Sequence, residues 1–316
     1  MERKKTNHLS LKLIITMLAL FSTHLCFSQK QETLKLIYEW NAPNQVQKYP
    51  VVLVIGGSEG GLKYGTHWGK LLNNKGFGLM SLAYFGLGKL SNELEEIPME
   101  YFENALDTLL SKKGVDTTRI AIISISKGTE PALWLASRHS NIGLVVAASP
   151  SNLIWQSISK DGYSSPKSSW TKNKKPLPFI EYDYSKGYYP VINLYKCALE
   201  KTIDTNAYIP VENAKATIVL LSGDQDNIWP SSFMANELVN RLKNKNYSYP
   251  IIFKNFTGAG HGFLIPYSTE EKKTTLLKDI IPPKIQYLGG NINAFDTAMT
   301  ESLKIVLKEL DNLKNK

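Results

Sequence analysis

The 316-residue chain contains only two cysteines, Cys26 and Cys197. With a leader ending at Ser28, Cys197 stands alone in the remainder and no intramolecular disulfide can form. Such a chain must be stabilised by burial, and residues 29–316 are enough for one large α/β domain. Arginine-rich stripes and aromatic RNA-binding motifs are also lacking, so no nucleic acid partner is expected. Neither an internal repeat nor a low-complexity linker divides residues 29–316. The apolar run Leu11–Phe27 is broken by His24 and by serines and threonines, and falls short of the ~20 residues of a typical span.

That run instead reads as the core of a signal peptide over residues 1–28. Arg3, Lys4 and Lys5 precede it, and Cys26-Phe27-Ser28 places small residues at −3 and −1 before Gln29. The expectation is export to the periplasm or beyond, with no stable membrane insertion once the leader is removed. An uncleaved anchor is the alternative. A lipoprotein acylated on Cys26 would want smaller residues than Thr23-His24-Leu25. The formal charge of +9 includes a net +3 from Glu2, Arg3, Lys4, Lys5 and Lys12, so +6 remains after the leader. The local lysine excess over Lys160–Lys175 reads as solvated surface, with attraction to an anionic ligand or membrane surface as the alternative.

Strand-like and helix-like segments alternate through the rest. Pro50–Ile55 is an apolar run of the kind buried on both sheet faces, ending at Gly56-Gly57. Further strands are expected at 77–84, 119–124, 144–148, 216–221 and 250–256, with helices at 64–75, 99–111, 128–140, 231–244 and 293–315. This alternation specifies a mostly parallel, doubly wound sheet with helices on both faces, whose ligands sit at the carboxyl ends of the strands. Residues 149–212 interrupt the pattern with many aromatic residues, including Trp155, Tyr163, Trp170, Tyr182 and Tyr188. So long and aromatic an insertion after a strand is expected to cap the active-site edge, or else to pack on the side.

Ser124-Ile125-Ser126-Lys127-Gly128 lies between the strand at 119–124 and the helix that follows. A small-x-Ser-x-Gly pentapeptide there is the layout of a nucleophile elbow, with Ser124 in the place usually held by glycine. A serine hydroxyl needs a base, and the base needs an orienting acid. His261, in Gly258-Ala259-Gly260-His261-Gly262 after a strand, is the base expected, because flanking glycines let the loop carry the imidazole to the serine. His67 reads as a polar helix residue or a substrate contact, and His139 falls several turns beyond Ser126. The acid comes from Gly223-Asp224-Gln225-Asp226, where Asp226 is favoured and Asp224 is expected to cap the turn through the backbone. The oxyanion hole is expected from the Lys127 N–H and from Ser58 or Gly57 in the turn Gly56–Gly61. This turn lacks the Gly-Lys-Ser/Thr ending of a phosphate loop. The Lys127 and Glu130 side chains are expected to pin helix and strand.

The order Ser126, Asp226, His261 is that of the α/β-hydrolases. The strings Ile122–Glu130, Leu82-Ala83-Tyr84-Phe85, Glu100–Ala105, Gly258–His261 and Ile265-Pro266-Tyr267, with the late Gly289-Gly290, resemble the catalytic domain of the acyl-CoA thioesterase and bile acid-CoA:amino acid N-acyltransferase family. The architecture is similar also to dienelactone-hydrolase-like esterases. The family resemblance implies an acyl-enzyme on Ser126, assisted by His261 and Asp226. Two-domain members of the family carry an N-terminal β-sandwich, whereas here only Gln29–Tyr49 would precede the first expected strand.

The sequence therefore predicts an exported serine hydrolase acting on a small-molecule ester or thioester, requiring neither cofactor nor metal. Tyr84, Trp155 and Trp229 are the expected substrate contacts. An acyltransferase, a peptidase or a silent binding protein on the same scaffold are the alternatives.

Overall fold

The computed structural model describes residues 35–44, 48–159 and 166–316. The expected signal peptide lies outside the described residues, as do Tyr163 and the first part of the lysine-rich stretch.

Seven strands form the central sheet: β1 (Ile37–Asn41), β2 (Tyr49–Ile55), β3 (Gly78–Ala83), β4 (Val115–Ile125), β5 (Ile142–Ala148), β6 (Thr217–Gly223) and β7 (Ile251–Phe256). They lie in the order β1-β3-β2-β4-β5-β6-β7. All neighbours are parallel except β1, which pairs antiparallel to β3 with Ile37 opposite Ala83. The strand at β1 corrects the expectation that the sheet begins at Pro50. β2, β3 and β6 are buried along their whole length, which is why they read as continuous apolar runs rather than alternating ones.

The main helices are α1 (Lys63–Asn73), α2 (Met99–Leu110), α3 (Thr129–Ala136), α4 (Ile192–Leu199), α5 (Ser231–Asn244) and α6 (Ile292–Lys314). Side chains of α2, α3 and α5 join Val51, Leu53 and Ile55 in one core. Those of α1 and α6 join Val52 and Val54 in another. Consecutive β2 residues thus feed opposite layers, as the period-2 geometry of a strand requires. Leu36–Lys316 forms one compact unit.

The segment 149–212 builds a third, smaller core from Leu153, Trp155, Ile180, Leu194, Tyr195 and their neighbours, joined by Trp229 and Met234. Isolated bridges pair Leu153 with Tyr208 and Trp155 with Ile180 inside the segment, and one between Leu94 and Ile158 ties it to the rest of the fold. Two of its lysines are not simply solvated: Lys167 pairs with Glu95, and Lys172 with Glu100 and Glu103. Parallel strands in register bring the segments after β2, β4, β5, β6 and β7 to one edge of the sheet, where the candidate residues gather.

Candidate active site

Ser126 follows the last residue of β4 and has φ 52°. A non-glycine residue in this left-handed region carries strain, and a strand-to-helix turn that presents a side chain at the sheet edge is where such strain is expected. The turn also demands a glycine two residues later. A Cβ on Gly128 would lie 2.1 Å from the Gly56 carbonyl oxygen, so any larger residue would push β2 and the elbow apart. Ser124, in the place usually held by glycine, is fully buried and donates its Oγ–H to the Val146 carbonyl of β5 at 2.9 Å.

Three of the expected residues form one hydrogen-bonded line. His261 Nε2 is 2.8 Å from Ser126 Oγ, and His261 Nδ1 is 2.8 Å from Asp226 Oδ2. Both His261 and Asp226 are buried, at 7% and 4% exposure. The second acid behaves differently: Asp224 Oδ1 accepts from the Gly258 N–H at 2.7 Å and so ties the two loops together. Asp226 is anchored on every side. Its Oδ1 accepts the Ile228 and Trp229 N–H groups, and its Oδ2 accepts the Ser231 hydroxyl at 2.6 Å as well as the imidazole. Four hydrogen bonds to one carboxylate fix its direction toward the imidazole.

The loops are held by the backbone as well. The Leu288 carbonyl accepts from both Asn227 N–H and His261 N–H. Gly289, at φ 86°, passes so close to the acid loop that a Cβ would lie 1.9 Å from the Gln225 carbonyl oxygen, which gives the late glycine pair a physical reason. Ser149, just past β5, receives the Gly262 N–H on its Oγ and the Trp229 indole N–H on its carbonyl. Ser149 and Ser231 escaped the sequence reading. Ser231 alone had a signal, a hydroxyl at the start of a helix five residues after the acid.

The glycine turn after β2 is close to the serine. A Cβ built on Gly57 would sit 3.0 Å from Ser126 Cβ. The Gly57 N–H, however, already donates to Glu59 Oε1 at 3.0 Å, which removes it as a free oxyanion donor. Among the described residues, neither the Ser58 nor the Lys127 N–H has a protein acceptor. Glu59 was not foreseen, because a carboxylate between glycines has no pattern of its own.

The three expected aromatic contacts are corrected. Tyr84 is buried and donates its hydroxyl to the Gly56 and Gly57 carbonyls at 2.9 and 3.0 Å, bracing the turn from behind. Burial, followed by the nearby Glu59 and Glu130 charges, pushes the Tyr84 hydroxyl well above its usual range. Trp155 is fully buried and donates its indole N–H to Ser151 Oγ. Trp229 is buried with its ring edge-on to His261, 6.0 Å between centroids. All three support the site rather than line it.

The Lys127 and Glu130 side chains form a buried ion pair at 2.7 Å. It links the elbow to the 149–212 insertion rather than helix to strand. Lys127 Nζ donates to the Trp155 carbonyl, and Glu130 Oε2 accepts the Trp170 indole N–H at 2.7 Å and the Trp155 N–H. Burial pushes the Lys127 ammonium down and the Glu130 carboxyl up, each opposed by its partner's charge.

Two cavities open beside the glycine turn after β2, at Ser58 and Glu59. One, of about 130 Å³, is lined by Ser58, Gln156, Tyr182, Leu194, Tyr195 and Ile228 among others. The other, of about 540 Å³, is lined by Glu59, Tyr64, His67 and Ile265–Ser268 together with Lys63, Lys272 and Lys284. His67 thus faces a cleft, not bulk surface alone.

A family profile described as "BAAT / Acyl-CoA thioester hydrolase C terminal" matches residues 97–307. The human protein acyl-coenzyme A thioesterase 2, mitochondrial, is 30% identical over 227 residues, covering 71% of this chain and 45% of its own length. Human acyl-coenzyme A thioesterase 1 is likewise 30% identical over 227 residues, with 51% of its length covered. The chain spans about half the length of these curated relatives. Among solved structures, an alpha/beta hydrolase enzyme from a Medee basin deep-sea metagenome library aligns at a TM-score of 0.53 and 16% identity, over 90% of this chain and 95% of that one. The fold is accordingly that of the α/β-hydrolases.

Proposed function

We propose, from the premise that this chain belongs to the BAAT / acyl-CoA thioester hydrolase C-terminal family, that it hydrolyses an ester or thioester through an acyl-enzyme on Ser126. One observation carries the reading: the unbroken line from Ser126 Oγ through His261 to Asp226, with both hydrogen bonds at 2.8 Å. A hydroxyl so placed gives its proton to Nε2 as Oγ attacks the carbonyl carbon. The Asp226 carboxylate keeps the Nδ1–H oriented and stabilises the imidazolium. Negative charge developing on the carbonyl oxygen would be met by the Ser58 and Lys127 N–H groups, which have no competing acceptor among the described residues. The imidazolium then protonates the departing alkoxide or thiolate. Water, deprotonated by the same imidazole, releases the acid and restores Ser126.

The thioester branch is supported by the curated relatives, named acyl-coenzyme A thioesterases. It is supported also by the cleft bearing Lys63, Lys272 and Lys284, whose charge suits an anionic leaving group. The leader-like segment at residues 1–28 supports export. Purified protein and its Ser126→Ala variant, assayed on matched 4-nitrophenyl esters and acyl thioesters, test the proposal. Turnover abolished by Ser126→Ala is the expected result; turnover that survives the substitution refutes the mechanism.

A further inference from the structure

The two cavities differ in kind, and that difference assigns the two halves of a substrate. The smaller one contains no charged side chain among its described lining residues. Its walls are tyrosines, aliphatic side chains and small hydroxyls. The larger carries three lysines and one histidine beside Glu59. They meet at consecutive residues of the glycine turn, Ser58 lining the first and Glu59 the second.

We infer that the tyrosine-lined cavity is the acyl pocket and that its fixed walls restrict the acyl group to a short chain or a single ring. This rests on the serine-hydrolase reading given above. The carbonyl oxygen must point at the Ser58 and Lys127 amides, and Ser58 lines this cavity. Ile228, two residues after the acid, lines it too. The leaving atom must face His261, which protonates it. The chain continuing from His261 runs to Ile265–Ser268, which line the lysine-bearing cleft instead. The acyl group is thereby left with the uncharged cavity.

The size limit follows from volume and stiffness. An apolar cavity of about 150 Å³ takes one benzene, and this one measures about 130 Å³. Its inner walls cannot readily swing aside, while Tyr184, Tyr188 and Tyr287 form a partly exposed rim. Tyr182 donates its hydroxyl to the Gln156 carbonyl at 2.8 Å, and its N–H to Gln156 Oε1 at 2.9 Å. Gln156 is itself fully buried. The Tyr195 ring packs edge-on against Tyr182 at 5.0 Å, Trp155 at 4.8 Å and Trp229 at 5.7 Å, and Trp229 packs in turn on His261. Expanding the pocket would disturb a stack that ends on the imidazole, and packed interiors resist such movement. Burial also raises the Tyr182 and Tyr195 hydroxyls above their ordinary values, so the walls remain neutral.

The test is a kcat/KM series on 4-nitrophenyl esters from acetyl to dodecanoyl, with the phenylacetyl ester included. It is run on the whole protein and on Leu194→Ala, which removes a buried wall residue. Activity is expected to peak within acetyl to hexanoyl and on phenylacetyl, then to fall about tenfold or more for each further methylene that no longer fits. Leu194→Ala is expected to move the optimum to longer chains. Tyr184→Ala, at the exposed rim of the same cavity, serves this purpose if the core variant does not fold. A profile flat to dodecanoyl, or an optimum unmoved by either wall variant, overturns the acyl-pocket assignment and leaves the hydrolase reading standing. Absence of turnover on every ester and on matched thioesters overturns both.

Discussion

At the scale of single residues, the site is a set of polar atoms whose partners are fixed before any substrate arrives. Asp226 illustrates this, since three donors other than the imidazole hold its carboxylate. Asp226→Asn is expected to lower kcat by several orders of magnitude with little change in KM, because the amide would favour the wrong imidazole tautomer. Steady-state kinetics on any ester that the protein turns over would check it. Ser231→Ala removes one of the four hydrogen bonds and is expected to cost about tenfold in kcat. Glu59 points the other way. Its carboxylate lies on the Gly57 N–H beside Ser126, where, on the proposed mechanism, a second negative charge would oppose a developing oxyanion. Glu59→Gln is accordingly expected to raise kcat on neutral esters by about two- to tenfold, and a decrease would show that Glu59 helps to bind or orient substrate. Ser126, Asp226 and His261 were all legible in the sequence, because each follows a recognisable strand and sits in a distinctive loop. Ser149 and Glu59 were not, since their partners are brought close only by the folded sheet edge.

At the scale of elements, the elbow is fastened to the 149–212 insertion through a charge pair with almost no solvent contact. Removing one partner strands the other, which typically costs about 3–5 kcal/mol. Lys127→Met is therefore expected to lower Tm by about 10 °C, and the Lys127→Met, Glu130→Gln double variant to recover part of that loss. Thermal unfolding of the two variants beside the parent protein measures both. A second link joins β4 to the end of α6. Asp116 accepts from Thr118 and Arg119, and Arg119 Nη1 donates to the Lys314 carbonyl at 2.7 Å. The Thr118 hydrogen bonds first, then the Arg119 charge, lower the Asp116 pKa to about 2. Its unfolded value is near 3.9, so its contribution is complete above that pH and is lost as pH falls through about 2. Solvent exposure keeps the contribution small. Asp116→Asn should narrow the Tm difference between pH 5 and pH 2 without altering the site. Sequence periodicity located α5 at Ser231–Asn244 and the buried strands to within a few residues. It missed β1, whose partner β3 lies some forty residues away, because antiparallel pairing at that distance leaves no local pattern. It also misjudged Trp155 and Trp229: an aromatic residue near a catalytic loop looks the same in sequence whether it faces the substrate or supports the base from behind.

At the scale of the whole molecule, one sheet edge gathers loops from five parallel strands; residues of the 149–212 insertion line a neutral cavity, whereas the lysine-bearing cleft is built from residues of 59–67 and 265–284. The alternation of strands and helices made that architecture readable, since each unit announces itself locally. The packing of residues 149–212 was not readable, because its core depends on contacts between Trp155, Tyr195 and Trp229 that lie far apart in the chain. The proposed export is tested at this scale as well: protein recovered from the periplasm or medium of an expressing bacterium is expected to begin at Gln29, as N-terminal mass analysis would reveal. The central claim is that Ser126 is the nucleophile. Labelling the folded protein with a fluorophosphonate and mapping the adduct by peptide mass spectrometry tests it most directly. The label is predicted on Ser126 alone and to disappear in His261→Ala, whereas an adduct on another residue, or none on Ser126, would contradict the account.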